Sequence, residues 1–125
     1  MSSPTARTLA LLLKEGWTAE VVEHWNPHSR TRHDLFGGID VLACKTQTFG
    51  DLYCTIVGIQ TTTASNHAAR KTKLLKNPRM AIWLSSGGRL EVWSWRKAKV
   101  RDVDGAFWVC RREVIRLSDF IQQAA

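Results

Sequence analysis

Asp40, Gln60 and Thr62 have the residue types and spacing that suit chemistry. If residues 39 to 63 form a hairpin turning near residue 49 or 50, opposed positions sum to a constant, and Asp40 lies across from Gln60. Side chains alternate between the faces of a strand with period two, so Gln60 and Thr62 project to the same side. Directly afterwards comes a segment carrying Asn66, His67, Arg70, Lys71 and Lys73. A carboxylate and an amide oxygen, with cations nearby, are suited to holding a divalent metal next to a phosphate.

The elements that must position these residues can be read along the chain. Ser3-Pro4 is a helix start, with Leu9, Leu12, Leu13 and Trp17 at helical spacing and Gly16 as the stop. Thr18 to Trp25 predicts a first strand, and Asn26 to Arg32 a polar loop. Gly37-Gly38 introduces the apolar run Ile39 to Lys45, a second strand. Thr46 to Asp51 has turn composition, and the β-branched segment Leu52 to Thr63 completes the hairpin. Ser65 caps a helix running to about Lys76, where Asn77-Pro78 stops it. Met80 to Leu84 and Leu90 to Trp95, around Ser85-Ser86-Gly87-Gly88, predict another hairpin. Asp104-Gly105 is a tight-turn pair between Lys97–Val103 and Ala106–Val109, and Ser118 caps a short final helix. The predicted order is α-β-β-β-α-β-β with a further strand and a short helix: a mixed sheet with helices packed on it, in the α/β class.

At 125 residues the chain has the length of one domain, 1–125, with one core. Its formal net charge of +7 produces a positive field that favours polyanions such as nucleic acid or an anionic membrane surface, with nucleic acid preferred to solubilising charge spread evenly over the surface. The cations cluster at Arg70–Lys76 and at Arg96–Arg101. No run approaches the roughly 18 apolar residues that cross a bilayer, and Leu9–Leu13 is too short for a signal-peptide core, so no membrane partner is expected. Cys44, Cys54 and Cys110 form no CxxC pair and read as small core residues of a reduced, cytoplasmic protein.

The stretches Leu35–Ala43 (L-F-G-G-I-D-V-L-A) and Val57–Thr62 (V-G-I-Q-T-T), followed by the Ser65-Asn66-His67 helix start, resemble the core of the PD-(D/E)XK nuclease superfamily. More narrowly they are similar to small phage and prophage proteins related to Holliday junction resolvases, and the Gly-Ile-Asp…Gln pattern resembles Mrr-type restriction endonucleases. The resemblance covers about residues 5 to 100. It implies the restriction-endonuclease-like fold: an αβββαβ core with a mixed sheet flanked by helices, here with a C-terminal strand and short helix added. It further implies a Mg²⁺- or Mn²⁺-dependent DNA endonuclease, acting on branched or linear DNA in the bacterial cytoplasm (host cytoplasm if phage-encoded) and pairing as a homodimer.

Carried over residue by residue, Asp40 becomes the first metal ligand and Gln60 occupies the second ligand position. Thr62 stands where the family has the Lys that orients the attacking water. Gln binds a hard cation more weakly than a carboxylate, and Thr supplies no positive charge. Three readings stay open. The missing groups come from elsewhere, with Lys71, Arg70 or Lys45 replacing the Lys and Glu15, Glu20, Glu23 or Asp34 adding a carboxylate. Lys45 is at odd spacing from Asp40, which aims it at the opposite face. Alternatively, catalysis is lost and a nucleic-acid-binding module is left, or the domain is a structural subunit.

Other residues invite weaker assignments. His24 and His28 are kept off a common helix face by Asn26-Pro27, so a zinc site there is disfavoured. His67 begins the helix beside the site, near phosphate or facing solvent. Trp93 and Trp95 share a face, either as core between sheet and helix, the favoured reading, or as a stacking platform for unpaired bases. Trp83 and Trp108 read as core on predicted strands.

Overall fold

A computed structural model describes residues 3–46, 55–99 and 105–124. The expected turns at Thr46–Asp51 and Asp104-Gly105 fall largely outside these residues, as does Cys54. Helix α1 (Pro4–Lys14) starts where the Ser3 hydroxyl accepts the Ala6 N–H at 3.1 Å, with Pro4 in the first turn. It ends at Gly16, whose positive φ lets the chain turn while Gly16 and Trp17 donate back to Leu13 and Leu12. Its buried face is Thr8 and Leu12, with Leu9 and Leu11 alongside, whereas Leu13 points to solvent.

Strands β1 (Thr18–Val21), β4 (Val41–Lys45) and β5 (Thr55–Thr63) form an antiparallel meander. Between β1 and β4 the chain makes a separate small hairpin from β2 (His24–Asn26) and β3 (Thr31–His33). The single expected strand Thr18–Trp25 is therefore two elements. Asn26 accepts the His28 N–H at 2.9 Å, which turns the polar loop into a tight connection.

After β5, helix α2 (His67–Leu75) crosses over and β6 (Arg89–Lys99) returns parallel to β5. Strand β7 (Ala106–Ile115) pairs antiparallel with β6, and α4 (Leu117–Ala124) closes the described chain. The sheet order is β1-β4-β5-β6-β7, mixed, with α1 on one face and the later helices on the other. The α/β class and the mixed sheet flanked by helices are thus observed.

Two helix assignments are corrected as well. Met80–Leu84 is not a strand but the body of helix α3 (Pro78–Ser85). Asn77-Pro78 stops α2 and starts the next helix at once: the Asn77 side chain accepts the Arg79 N–H at 3.0 Å and Pro78 opens the first turn. Ser118 lies inside α4 rather than capping it; Asp119 accepts the Arg116 N–H at 2.8 Å instead.

Alternation along the strands divides the core into two layers. Val41, Ala43, Val57, Ile59 and Trp93 pack under α1 around Leu12. Ile39, Leu90, Val92 and Ile115 pack under Leu74 of α2 and Met80 of α3. Trp93 and Trp95 are core, and the Trp95 indole donates to Thr8 at 2.9 Å. Trp83 sits on α3 and donates to the Arg89 carbonyl, while Trp108 and Cys44, expected inside, are exposed. Among the described residues no helix is long and apolar enough to cross a membrane.

Candidate functional site: an acidic cleft with a basic rim

The end of β4 and the tight turn before it build the centre of the site. Gly37, at φ 76°, and Gly38 fold the chain back so that Leu35 bridges to Ile39. Gly38 passes so close beneath α2 and α3 that a Cβ there would stand 2.6 Å from Met80 Sδ and 2.8 Å from Leu74. In this antiparallel bridge the flanking residues Asp34 and Asp40 are opposed. On the other side the Val22 N–H donates to the Asp40 carbonyl at 2.8 Å, and the next residue, Glu23, arrives beside it. Carboxylate oxygens of Glu23, Asp34 and Asp40 consequently lie within 4.8 Å of one another.

Strand β5 holds Asp40 from the other side. The pairing Val41↔Ile59 places Asp40 across from Gln60, as the constant-sum argument expects. The Gln60 carboxamide donates Nε2–H to Asp40 Oδ2, and the Thr61 N–H donates to the same oxygen at 2.9 Å. Thr61 lies two residues beyond the end of the β4 pairing at Ile59, so the Asp40 carboxylate satisfies a backbone donor that the ladder no longer reaches. Asp40 is 4% exposed and Gln60 is fully enclosed. In this arrangement Gln60 orients Asp40 through its nitrogen.

The cleft above these groups has a volume of about 460 Å³. Thr62 and Thr63 of β5, the start of α1 at Ser3–Thr5, and Asn66, Arg70 and Lys73 also line it. Arg32, from β3, reaches in and pairs with Glu23 at 3.4 Å. The result is an acidic floor with a cationic rim. Burial pushes the Asp40 carboxyl up to about 8, reinforced by its hydrogen bond with Asp34 and the negative charge of Asp34 and Glu23; the Thr61 amide offsets part of this.

The remaining expected site residues go elsewhere. Lys71 does not line the cleft: its ammonium meets Glu113 of β7 at 2.7 Å. His67 is buried, with Nδ1 2.6 Å from the Ser94 hydroxyl and Nε2 2.8 Å from Glu113. Helical geometry explains the division. Asn66, Arg70 and Lys73 are spaced along one side of α2, whereas His67 and Lys71, four apart, share the side facing β7. Lys71 and His67 are therefore corrected from cleft residues to partners of Glu113. Among the alternative carboxylates, Glu15 is held by Arg112 at 2.6 Å and Glu20 is exposed on β1, leaving Glu23 and Asp34 as the pair that joins Asp40. Lys45 donates to the Glu15 carbonyl, away from the cleft. Arg32 was not anticipated; the β2–β3 hairpin that delivers it reads in the sequence as a polar loop.

The donor set fits a hard divalent cation. It consists of oxygens alone from three clustered carboxylates; burial first, and then the neighbouring Asp34 and Glu23, disfavour the charged form of Asp40, and a bound cation would favour it. Comparison of the chain with protein-family models, with curated proteins and with solved structures found no match.

Proposed function

We propose that the protein is a divalent-metal-dependent DNA endonuclease of the PD-(D/E)XK type, with Asp40, Asp34 and Glu23 holding Mg²⁺ or Mn²⁺. The observation that carries this reading is the convergence of the three carboxylates on the floor of a cleft rimmed by Arg32, Arg70 and Lys73. The order α1, β1, β4, β5, α2, β6 gives it support, because it is the αβββαβ order that the resemblance implies, with the β2–β3 hairpin and α3 as additions. That hairpin carries a chemical consequence. Gln60 stands where the motif has its second acidic ligand, and the residues flanking the hairpin, Glu23 and Asp34, supply the missing negative charge.

When bound, the cation supplies Lewis-acid polarisation of the phosphoryl oxygen and a more acidic water. The chain's own residues do the rest. Gln60 and the Thr61 amide fix the Asp40 carboxylate. Arg70 and Lys73 hold the phosphodiester backbone over the carboxylates by charge, and Arg32 steers Glu23. Thr62 offers a hydroxyl in place of the motif's Lys.

The test is Mn²⁺- or Mg²⁺-dependent cutting of linear and branched DNA, abolished in Asp40→Ala; cutting that survives this substitution refutes the assignment. A second reading, a nuclease fold that binds DNA without cutting, is favoured by Thr62 at the Lys position together with the engagement of Lys71 by Glu113. It predicts salt-sensitive DNA binding with no products at any metal concentration.

A further inference from the structure

Beside the cleft, helix α1 and the outer ends of β6 and β7 enclose a groove of about 580 Å³. Arg7, Leu11, Lys14, Trp95, Lys97 and Trp108 line it, and none of its described lining residues is acidic. Trp108 is 41% exposed, an unusual setting for the largest apolar side chain. The Arg7 guanidinium lies over the indole, 3.5 Å from the ring centroid, and the Lys97 ammonium is 5.6 Å from it. Neither cation, nor Lys14, has a carboxylate partner among the described residues.

The groove adjoins the cleft. Strands β5 and β6 run parallel, and Thr63 at the cleft pairs with Trp95 in the groove. Along α1, Thr5 lines the cleft and Arg7 the groove. A ligand suited to this surface carries negative charge at intervals and flat faces that stack on indole or guanidinium. Unpaired nucleotides have both properties, whereas paired bases hide their faces inside the duplex.

We infer that the groove formed by Arg7, Lys14, Lys97 and Trp108 holds an unpaired nucleic-acid strand. The aromatic platform is Trp108, not the buried Trp93 and Trp95. The basic charge of α1 and β6 lies along the path of a strand leaving the cleft. The groove's affinity is independent of whether the cleft cuts, and the test is made without metal.

The experiment is fluorescence anisotropy of a labelled fifteen-residue oligothymidylate titrated with the full chain in EDTA. With three cations engaged, the log–log dependence of affinity on salt has a slope of about −2, from roughly 0.7 per phosphate contact on a single strand. Trp108→Ala weakens binding by about tenfold, within the range of one lost base stack, and Trp108→Phe recovers part of it. Arg7→Glu and Lys97→Glu flatten the salt slope, whereas Arg116→Ala, an exposed cation outside the groove, changes affinity less than about twofold. On an oligomer of abasic sites the Trp108→Ala effect disappears. Circular dichroism melts check that each variant is folded. Wild-type affinity in folded Trp108→Ala and Arg7→Glu overturns the inference, as does binding confined to anionic phosphatidylserine vesicles or to duplex of equal length. Absence of DNA cutting leaves these readouts unchanged, so failure of the nuclease reading is recorded separately.

Discussion

Two sides of helix α2 meet carboxylates, and the outcomes are opposite. On one side Glu113 receives the Lys71 ammonium at 2.7 Å and His67 at 2.8 Å; Lys71, then His67, holds its carboxyl below the usual range. On the other side Asp40 faces Asp34 and Glu23, and its carboxyl is pushed up to about 8. Glu113 has its countercharge within the protein. The Asp40 cluster has Arg32 at 3.4 Å from Glu23 as its described cation partner. One region completes the fold; the other is built at a cost in stability that, on the proposed function, a bound cation would offset.

The largest expected effect separates the two regions by activity. Asp40→Ala should lower metal-dependent cutting by more than the roughly 10- to 100-fold that loss of an outer partner of a metal ligand brings. Glu113→Gln should cut at close to the wild-type rate, measured on the same DNA. Equal losses in both variants would erase the distinction.

Stability should move the other way. In EDTA at pH 8.5, Asp40→Asn should raise stability by on the order of 1–3 kcal/mol, about 4–12 °C in Tm, because it removes a charge that folding disfavours. Glu113→Gln should lower it by about 1–2 kcal/mol, since Lys71 and His67 lose a partly solvent-screened partner. Thermal melts of both variants decide this; a destabilised Asp40→Asn in EDTA would contradict the contrast.

The pH dependence carries opposite signs. Asp40 has a folded pKa raised above its unfolded 3.8, so its favourable contribution is complete below 3.8 and is lost as pH rises through about 8. Glu113 has a folded pKa below 4.5, so its contribution is present above 4.5 and is lost as pH falls through the lowered value. Between pH 5 and 9 the metal-free protein should therefore lose stability that Asp40→Asn retains, while Glu113→Gln keeps the wild-type trend. Parallel melting curves for wild type and Asp40→Asn across that range would contradict this.

The smallest effect concerns neighbours on one helix. Arg70→Ala and Lys73→Ala should each flatten the salt dependence of duplex binding by about 0.9 in log–log slope, the value of one phosphate contact. Lys71→Ala should leave the slope unchanged. Anisotropy titrations at several salt concentrations distinguish them.

Much of the site was legible because it depends on local rules. The constant sum of a hairpin placed Asp40 across from Gln60, and period two put Gln60 and Thr62 on one side. Asp34 and Glu23 could only be named among four candidate acids, because what selects them is the turn that bridges Leu35 to Ile39 and the tertiary register of β1 on β4, neither visible in residue spacing. The place of Lys71 at Glu113 is not legible, because sequence shows proximity to Arg70 but not which side of the helix faces the sheet. Asn77-Pro78 repeats at α3 the Ser3-Pro4 signal that starts α1; read only as a stop, the pair conceals a start. Trp108 and Trp95 show the limit of burial by residue type. Their paired strands put them on the same face, yet Trp95 lies under α1 and Trp108 beyond its cover.

Anomalous scattering from a crystal soaked in Mn²⁺ is the most direct test of the carboxylate cluster as a metal site. The expected result is a single strong peak coordinated by the carboxylates of Asp40, Asp34 and Glu23, absent in Asp40→Ala crystals treated identically. A cleft without a peak at millimolar Mn²⁺, or a peak bound by other residues, would contradict it.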